Sequence, residues 1–361
     1  MTFFEPDFDA ARRNRRRKTG LGFLAVATLS LFALVALPTP YIIERPGPTF
    51  DILAKQAGKD IISTTDVITY PSKGQMHLLT VSVVGNREQT PNWLELGLAW
   101  LDPNQSIVPI DQVFPLNQTA EEAEAESTAL MEISQQDAIA AALLELGYQV
   151  PGRVYISQVT AGAAASKKLI AGDFVTEVND VAVSSVAEVR AEVEKYTGSS
   201  GVKIEILRNG QPLTYQIIPK KDPEGNYRLG ILAGYKFDFP IDIKLELADV
   251  GGPSGGLMFA LGIIDRLTEG ELTGGQVIAG TGTITPSGQV GPIGGVTHKL
   301  VAADRIGARL FFAPAENCLE LAGVNSNARV VKVSTLDDAL AALKIIESNG
   351  NTDQLPSCSS N

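Results

Sequence analysis

Seventeen consecutive residues without a charge, Leu21 to Leu37, follow the basic cluster RRNRRRK at 12–18. As a helix this run spans roughly 25 Å, and Thr19 and Gly20 extend it toward a hydrocarbon core of about 30 Å. Positive charge ahead of an apolar segment places the cluster in the cytoplasm and everything after Pro38 outside. A cleaved signal peptide shares that charge order. Its apolar region is shorter, however, and here Pro38 and Pro40 stand where a small-residue cleavage site would lie. The sequence therefore predicts a basic cytoplasmic tail at 1–18, an uncleaved transmembrane anchor at 19–38 and an extracytoplasmic globular part. On either reading Cys318 and Cys358, the two cysteines of the chain, meet an oxidising space where a disulfide between them can form, two buried or free thiols being the alternative.

Charge and composition remove several functions. The net charge is −11, but residues 1–20 carry a local +3, which leaves −14 on the rest. A body that acidic repels phosphate backbones, so nucleic acid is not an expected partner. Two histidines, His77 and His298, and no HExxH or CxxC pattern exclude the familiar zinc sites. No GxxxxGK followed by Ser or Thr is present to cradle ATP. No metal and no cofactor are expected.

Along the chain, VITYP at 67–71 and HLLTVSVVG at 77–85 read as strands, and 101–119 as a loop. EEAEAE at 121–126 reads as a solvated acidic patch or a helix start. Met131–Leu146 reads as a helix, with Ile133, Ile139, Ala140, Leu143 and Leu144 near one stripe and Gly147 ending it. From Arg153 to about Asp222 the order is strand (VYISQV), Gly/Ala turn, short helix, strand (DFVTEVND), helix (SSVAEVRAEVEKY) and two strands (VKIEILRNG, LTYQIIP).

That order, with the GDFVTEVNDVAV segment and the Arg208-Asn209-Gly210 hairpin, resembles a bacterial PDZ domain. Such domains add a peptide as an extra strand and cap its terminal carboxylate with backbone N–H groups. The resemblance implies a carboxylate loop at Arg228–Ile231, with Leu229, Gly230 and Ile231 as peptide-binding residues. A PDZ-like spacer that binds nothing is the competing reading.

The chemistry lies beyond Pro240. DIKLELADVGGPSGGLMFALGIIDRL reads as a strand, a glycine-rich turn and an apolar helix, with Ser254 at the helix mouth. Free N–H groups at a helix start can stabilise a developing oxyanion, which marks Gly252 and Gly255 as oxyanion or turn residues. Taken alone, this serine is more commonly an N-cap in a tight turn. A nucleophile also needs a base. His298 and Lys299 project about 100° apart on a helix that starts near Val296, so only one of them can face Ser254. A lysine base must be neutral, which requires burial to bring its pKa down from about 10.4 toward 7. Val296, Leu300 and Ala303 could supply that burial.

Together, Gly252-Pro253-Ser254-Gly255-Gly256, TGTIT, SGQV, PIGG and then Lys299 resemble the proteolytic domain of Lon proteases, a Ser–Lys dyad family. The resemblance implies Ser254 as nucleophile, Lys299 as general base and Thr281 as the hydroxyl that orients the lysine. GQMHLLTVSV at 74–83 and the 131–146 helix resemble the earlier part of the same domain. The expected fold is thus an α/β (α+β) Lon-type proteolytic domain with an inserted PDZ-like β-rich domain and one N-terminal transmembrane helix. Its expected parts are 41–147, the insert 148–235, 236–348 and a C-terminal tail at 349–361.

The chain departs from the family pattern at two positions. The acidic residue three before the serine is Gly251 here, and the Glu of TGEIT is Thr283. The resemblance implies an ATP-independent, membrane-anchored serine endopeptidase that acts on flexible protein segments, with PDZ-mediated recognition. It also raises a homo-oligomer, because related domains form rings. A catalytically silent PDZ adaptor and a Ser–His enzyme using His298 are the alternatives.

Overall fold

The computed structural model describes residues 8–114, 119–198, 200–247, 250–348 and 350–358. The first seven residues of the expected cytoplasmic tail, part of the 101–119 loop and the last three residues of the C-terminal tail lie outside that range. In chain order the first elements are α1 (Phe8–Ala36), β1 (Tyr41–Asp51), β2 (Ile62–Thr64), β3 (Gln75–Val84), α2 (Trp93–Trp100), β4 (Ser106–Pro109), α3 (Ile110–Val113) and α4 (Ala120–Glu145). Next come β5 (Gly152–Val159), β6 (Phe174–Val178), α5 (Val186–Glu194), β7 (Val202–Arg208), β8 (Gln211–Ile217) and β9 (Ile231–Phe237). The last stretch holds β10 (Ile243–Leu245), α6 (Gly256–Leu267), β11 (Val277–Gly280), β12 (Thr283–Ile284), β13 (Val290–Gly291), α7 (Val296–Arg305), β14 (Leu310–Pro314), β15 (Arg329–Val333) and α8 (Leu336–Glu347).

The chain divides into two compact units, 1–45 with 82–120 and 46–81 with 121–361. In the first, the apolar stretch Lys18–Ala36 of α1 has a mean hydropathy of 2.1 and no buried residue, long and apolar enough to cross a membrane. The amino end of β1 pairs antiparallel with β4, and Ile43 packs against Leu96 and Ala99 of α2.

The second unit is built on a sheet in the order β15-β14-β11-β3-β1. Its β3–β11, β11–β14 and β14–β15 pairs are parallel. Parallel strands covered on both faces read as continuous apolar runs, and all five residues of β14 (LFFAP) are buried. Alternation divides the strand residues between two cores. Met76, Leu78, Ile278, Leu310 and Phe312 meet α6 and α8, whereas Leu79, Ala279, Phe311 and Ala313 meet Val296, Leu300 and Ala303 of α7. So α6 and α7 cover opposite faces of one sheet.

A second sheet, ordered β8-β7-β6-β5-β9, encloses its own core of Ile156, Val178, Val189, Ile204 and neighbours. Its hairpin turns use left-handed Asn179-Asp180 and Asn209-Gly210, which suits the twist of two-residue hairpins. Cys318 and Cys358 form a disulfide that ties the C-terminal segment to the residues after β14.

Several local expectations change. Val67–Pro71 forms no strand; Tyr70 donates to the Arg266 carbonyl, and Pro71 has no N–H for a ladder. The 101–119 segment is not wholly loop, since β4 and α3 lie within it. For the acidic run at 121–126 the helix-start reading is the one observed: it forms the first turns of α4, where alanine and glutamate favour a helix and Glu121 and Glu122 suit its amino end. The short helix expected after β5 is a series of turns, with Gly162 left-handed at its start. β9 is an addition to the expected elements; only its first residue, Ile231, falls within the expected carboxylate loop.

Candidate active site

Ser254 and Lys299 arrive from opposite faces of the sheet, Ser254 just before α6 and Lys299 within α7. Thr281 directly follows β11, the strand between β3 and β14. All three therefore gather beyond the carboxyl end of a central parallel strand, where open α/β sheets place their sites. Lys299 Nζ lies 2.8 Å from Ser254 Oγ and 3.1 Å from Thr281 Oγ1. Thr281 Oγ1 donates to the Ser254 carbonyl at 3.0 Å, and Gly282 N–H donates to the same carbonyl at 2.9 Å. The lysine is held from one side by the threonine and aimed at the serine on the other. Of the two adjacent residues on α7, Lys299 is the one that meets Ser254.

Lys299 is only 3 % exposed, and Thr281 1 %. Burial disfavours the ammonium and lowers the Lys299 pKa to about 8. A neutral amine at this position can accept the serine proton, which is what base catalysis requires.

Gly252 has a φ of +81°, a left-handed conformation that glycine adopts without a Cβ penalty. Its N–H donates to the Ser127 carbonyl at 3.0 Å. That engagement corrects the oxyanion expectation for Gly252, which serves the turn. Gly255, the residue that caps α6, keeps a place at the helix mouth.

A support that sequence reasoning missed comes from α4. Ser134 is 3 % exposed and donates through Oγ to the Pro253 carbonyl at 2.9 Å. Ser127 and Ser134, seven residues apart, fall on one helix face and hold Gly252 and Pro253, the two residues before the nucleophile. The available signal was a pair of serines on the inward stripe of an Ala/Glu-rich helix. Ser134→Ala removes the donor to the half-buried Pro253 carbonyl, a cost of about 1 kcal/mol. We expect a lowered Tm and a kcat reduced roughly tenfold with little change in KM, because a slightly displaced nucleophile loses attack geometry rather than substrate affinity. Melting curves with steady-state kinetics check this; unchanged kcat would mean that the turn holds itself.

A cavity of about 1040 Å³ adjoins this turn, lined by Gly251, Ser127, Met131, Leu245, Leu247 and Val250 among others. A separate cavity of about 390 Å³ lies between α5 and β9, the terminal strand of the second sheet. Leu229, Gly230 and Ile231 all line it, together with Val189 and Val193. Leu229 also belongs to the buried core beneath.

Residues 247–345 match the Lon protease (S16) C-terminal proteolytic domain, a serine-type peptidase family, and residues 123–218 match the PDZ domain. The PDZ match begins within α4 and ends before β9. The Lon protease of Campylobacter concisus is 31% identical over 147 residues, 39% of this chain and 18% of that relative. The Lon protease of Clostridioides difficile is 33% identical over 192 residues, 48% of this chain and 23% of that relative. The chain thus spans less than a quarter of the length of these relatives. Among solved structures, the PDZ domain of an SdrC-like protein from Listeria innocua is 28% identical, covering 22% of this chain and 92% of that one with a TM-score of 0.21.

Proposed function

We propose that this chain, which carries a Lon-type (S16) proteolytic domain and a PDZ domain, is an ATP-independent serine endopeptidase acting on flexible or unfolded protein segments outside the membrane. The observation that carries the reading is the buried amine of Lys299, 2.8 Å from the Ser254 hydroxyl oxygen. In its neutral form Lys299 takes the Ser254 proton as Oγ attacks the scissile carbonyl. Negative charge then develops on the carbonyl oxygen at the mouth of α6, where the N–H of Gly255, the residue that caps the helix, would be the donor to it. The ammonium of Lys299 next protonates the leaving amine, and the acyl-enzyme forms. Neutral again, Lys299 takes a proton from water as its oxygen attacks the ester, and returns that proton to Ser254 Oγ as the acyl–oxygen bond breaks. Thr281 keeps the amine aimed throughout.

In the same reading, α1 anchors the chain with its catalytic part extracytoplasmic, and residues 148–235 interrupt the catalytic domain to recruit clients. A client terminus or exposed strand would add to β9 beside α5, with Leu229–Ile231 at its end. A serine-reactive phosphonate tests the chemistry. It is expected to label Ser254 in the wild type and to fail with Ser254→Ala, and casein cleavage is expected to proceed equally with and without ATP. Absence of both labelling and cleavage would leave a silent PDZ adaptor on the same scaffold.

A further inference from the structure

Both tryptophans of the chain, Trp93 and Trp100, lie on α2, an eight-residue helix in the same compact unit as the apolar helix α1. Trp100 is 79 % exposed and Trp93 44 %, and Leu94, Leu98 and Leu101 are exposed with them. At 100° per residue these five side chains fall within an arc of roughly 160°. The opposite side, Leu96 and Ala99, is already buried against Ile43. An interaction face of this kind is unusual for a solvated helix, because single exposed apolar residues are ordinary but contiguous ones are not.

What covers the face is indicated by where α2 is tied. Pro38, two residues beyond the end of α1, forms an antiparallel bridge with Asn92, the residue whose side chain caps α2. The buried Thr39 donates from its hydroxyl to the Pro91 carbonyl at 2.7 Å and from its N–H to Thr90 Oγ1 at 3.2 Å. α1 and α2 also pack against each other. The amino end of α2 is therefore fixed at the level where the apolar helix ends. If α1 crosses a bilayer, that level is the membrane–water boundary, where tryptophan rings concentrate.

We propose that α2 lies in the outer boundary of the bilayer that α1 crosses, with Trp93, Leu94, Leu98, Trp100 and Leu101 turned into the lipid. This inference rests on the anchor reading of α1. α2 carries Glu95 and no Lys or Arg, so the contact is apolar burial rather than attraction to anionic headgroups. Neutral phosphatidylcholine should serve as well as an anionic mixture. The contact would stop the anchored unit from spinning about the axis of α1, a freedom that a single helix leaves open.

Because the chain has no other tryptophan, its intrinsic fluorescence reports α2 alone. The experiment places the full chain, one copy per disc, in phosphatidylcholine nanodiscs with or without bromine on the acyl chains near the headgroups. We expect emission to fall roughly twofold or more in brominated discs, and the fractional loss to persist in Trp93→Phe, where the more exposed Trp100 is the sole emitter. Emission indifferent to bromine, in discs that hold the chain, overturns the proposal while sparing the anchor. That result includes a blue-shifted spectrum from rings covered by protein. A chain that fails to enter the discs overturns the anchor reading and this one with it.

Discussion

Lys299→Met lowers kcat/KM by roughly a thousandfold or more, while the folded protein becomes no less stable at pH 7. The size of the loss follows from the proposed base role of Lys299, the side chain that meets Ser254 Oγ among the described residues, since removal of such a partner typically costs several powers of ten. The same lysine sets the pH dependence. Its pKa is lowered to about 8 by burial, so the neutral, active form is roughly a tenth of the enzyme at pH 7 and a hundredth at pH 6. kcat/KM is therefore expected to rise about tenfold per pH unit below 8 and to level off above it. A profile flat between pH 6 and 8 would sink Lys299 as the base.

The stability half of that result has its own sign. The unfolded chain binds the lysine proton at the ordinary value, and the fold binds it less well, so protonation penalises the folded state. That penalty is present in full below about 8, roughly 3 kcal/mol for a shift of this size, and fades as pH climbs toward the unfolded value. Methionine of similar length removes the penalty together with the hydrogen bonds to Ser254 and Thr281. A Tm at pH 7 that is equal or higher, with activity gone, separates loss of the base from loss of the fold. A Tm that falls by many degrees would mean that the amine is structural.

Much of this site was legible because its parts are local in sequence. The GGPSGG turn, the TGTIT run and the PIGG turn before α7 each carry their own turn chemistry, and strand periodicity does the rest. What periodicity alone could not convey is which of His298 and Lys299 would face the serine. That choice depends on α7 lying on the Phe311 face of the sheet, which is a tertiary fact. The contribution of α4 was hidden for the same reason. Ser134 lies 119 residues before its partner carbonyl at Pro253, and a serine inside a helix gives no local hint of what it holds. The strand β9 escaped notice because its sequence, ILAGYKF, carries a glycine where a strand former would be expected; that glycine lets Ile133 of α4 approach. α2 could be found as an apolar stretch, but only the Pro38–Asn92 bridge ties it to the end of α1.

Gly251→Asp, which restores the acidic residue found three before the serine in the resembling family, is expected to damage this enzyme rather than improve it. A Cβ at Gly251 would lie 2.1 Å from Ser127 Oγ and 3.2 Å from Ser127 Cβ. The Ser127 hydroxyl can rotate clear, but its Cβ must still give by a few tenths of an ångström, and because the Ser127 carbonyl accepts from Gly252 N–H that shift is passed to the turn. Gly251 and Ser127 are thus a matched pair, and the departure from the family pattern is compensated on a helix more than a hundred residues earlier. A turn pushed by a few tenths of an ångström should cost roughly tenfold in kcat/KM. Ser127→Gly opens the space at a cost of about 1 kcal/mol in helix stability, and the double variant should recover most of the activity. Charge offers a rival cause, because a carboxylate near Lys299 would favour its ammonium and raise its pKa. The two causes leave different traces. A steric fault is rescued by Ser127→Gly with the pH midpoint still near 8, whereas an electrostatic fault persists in the double variant and moves the midpoint upward. The second pattern would show that room beside Ser127 is not what keeps position 251 a glycine.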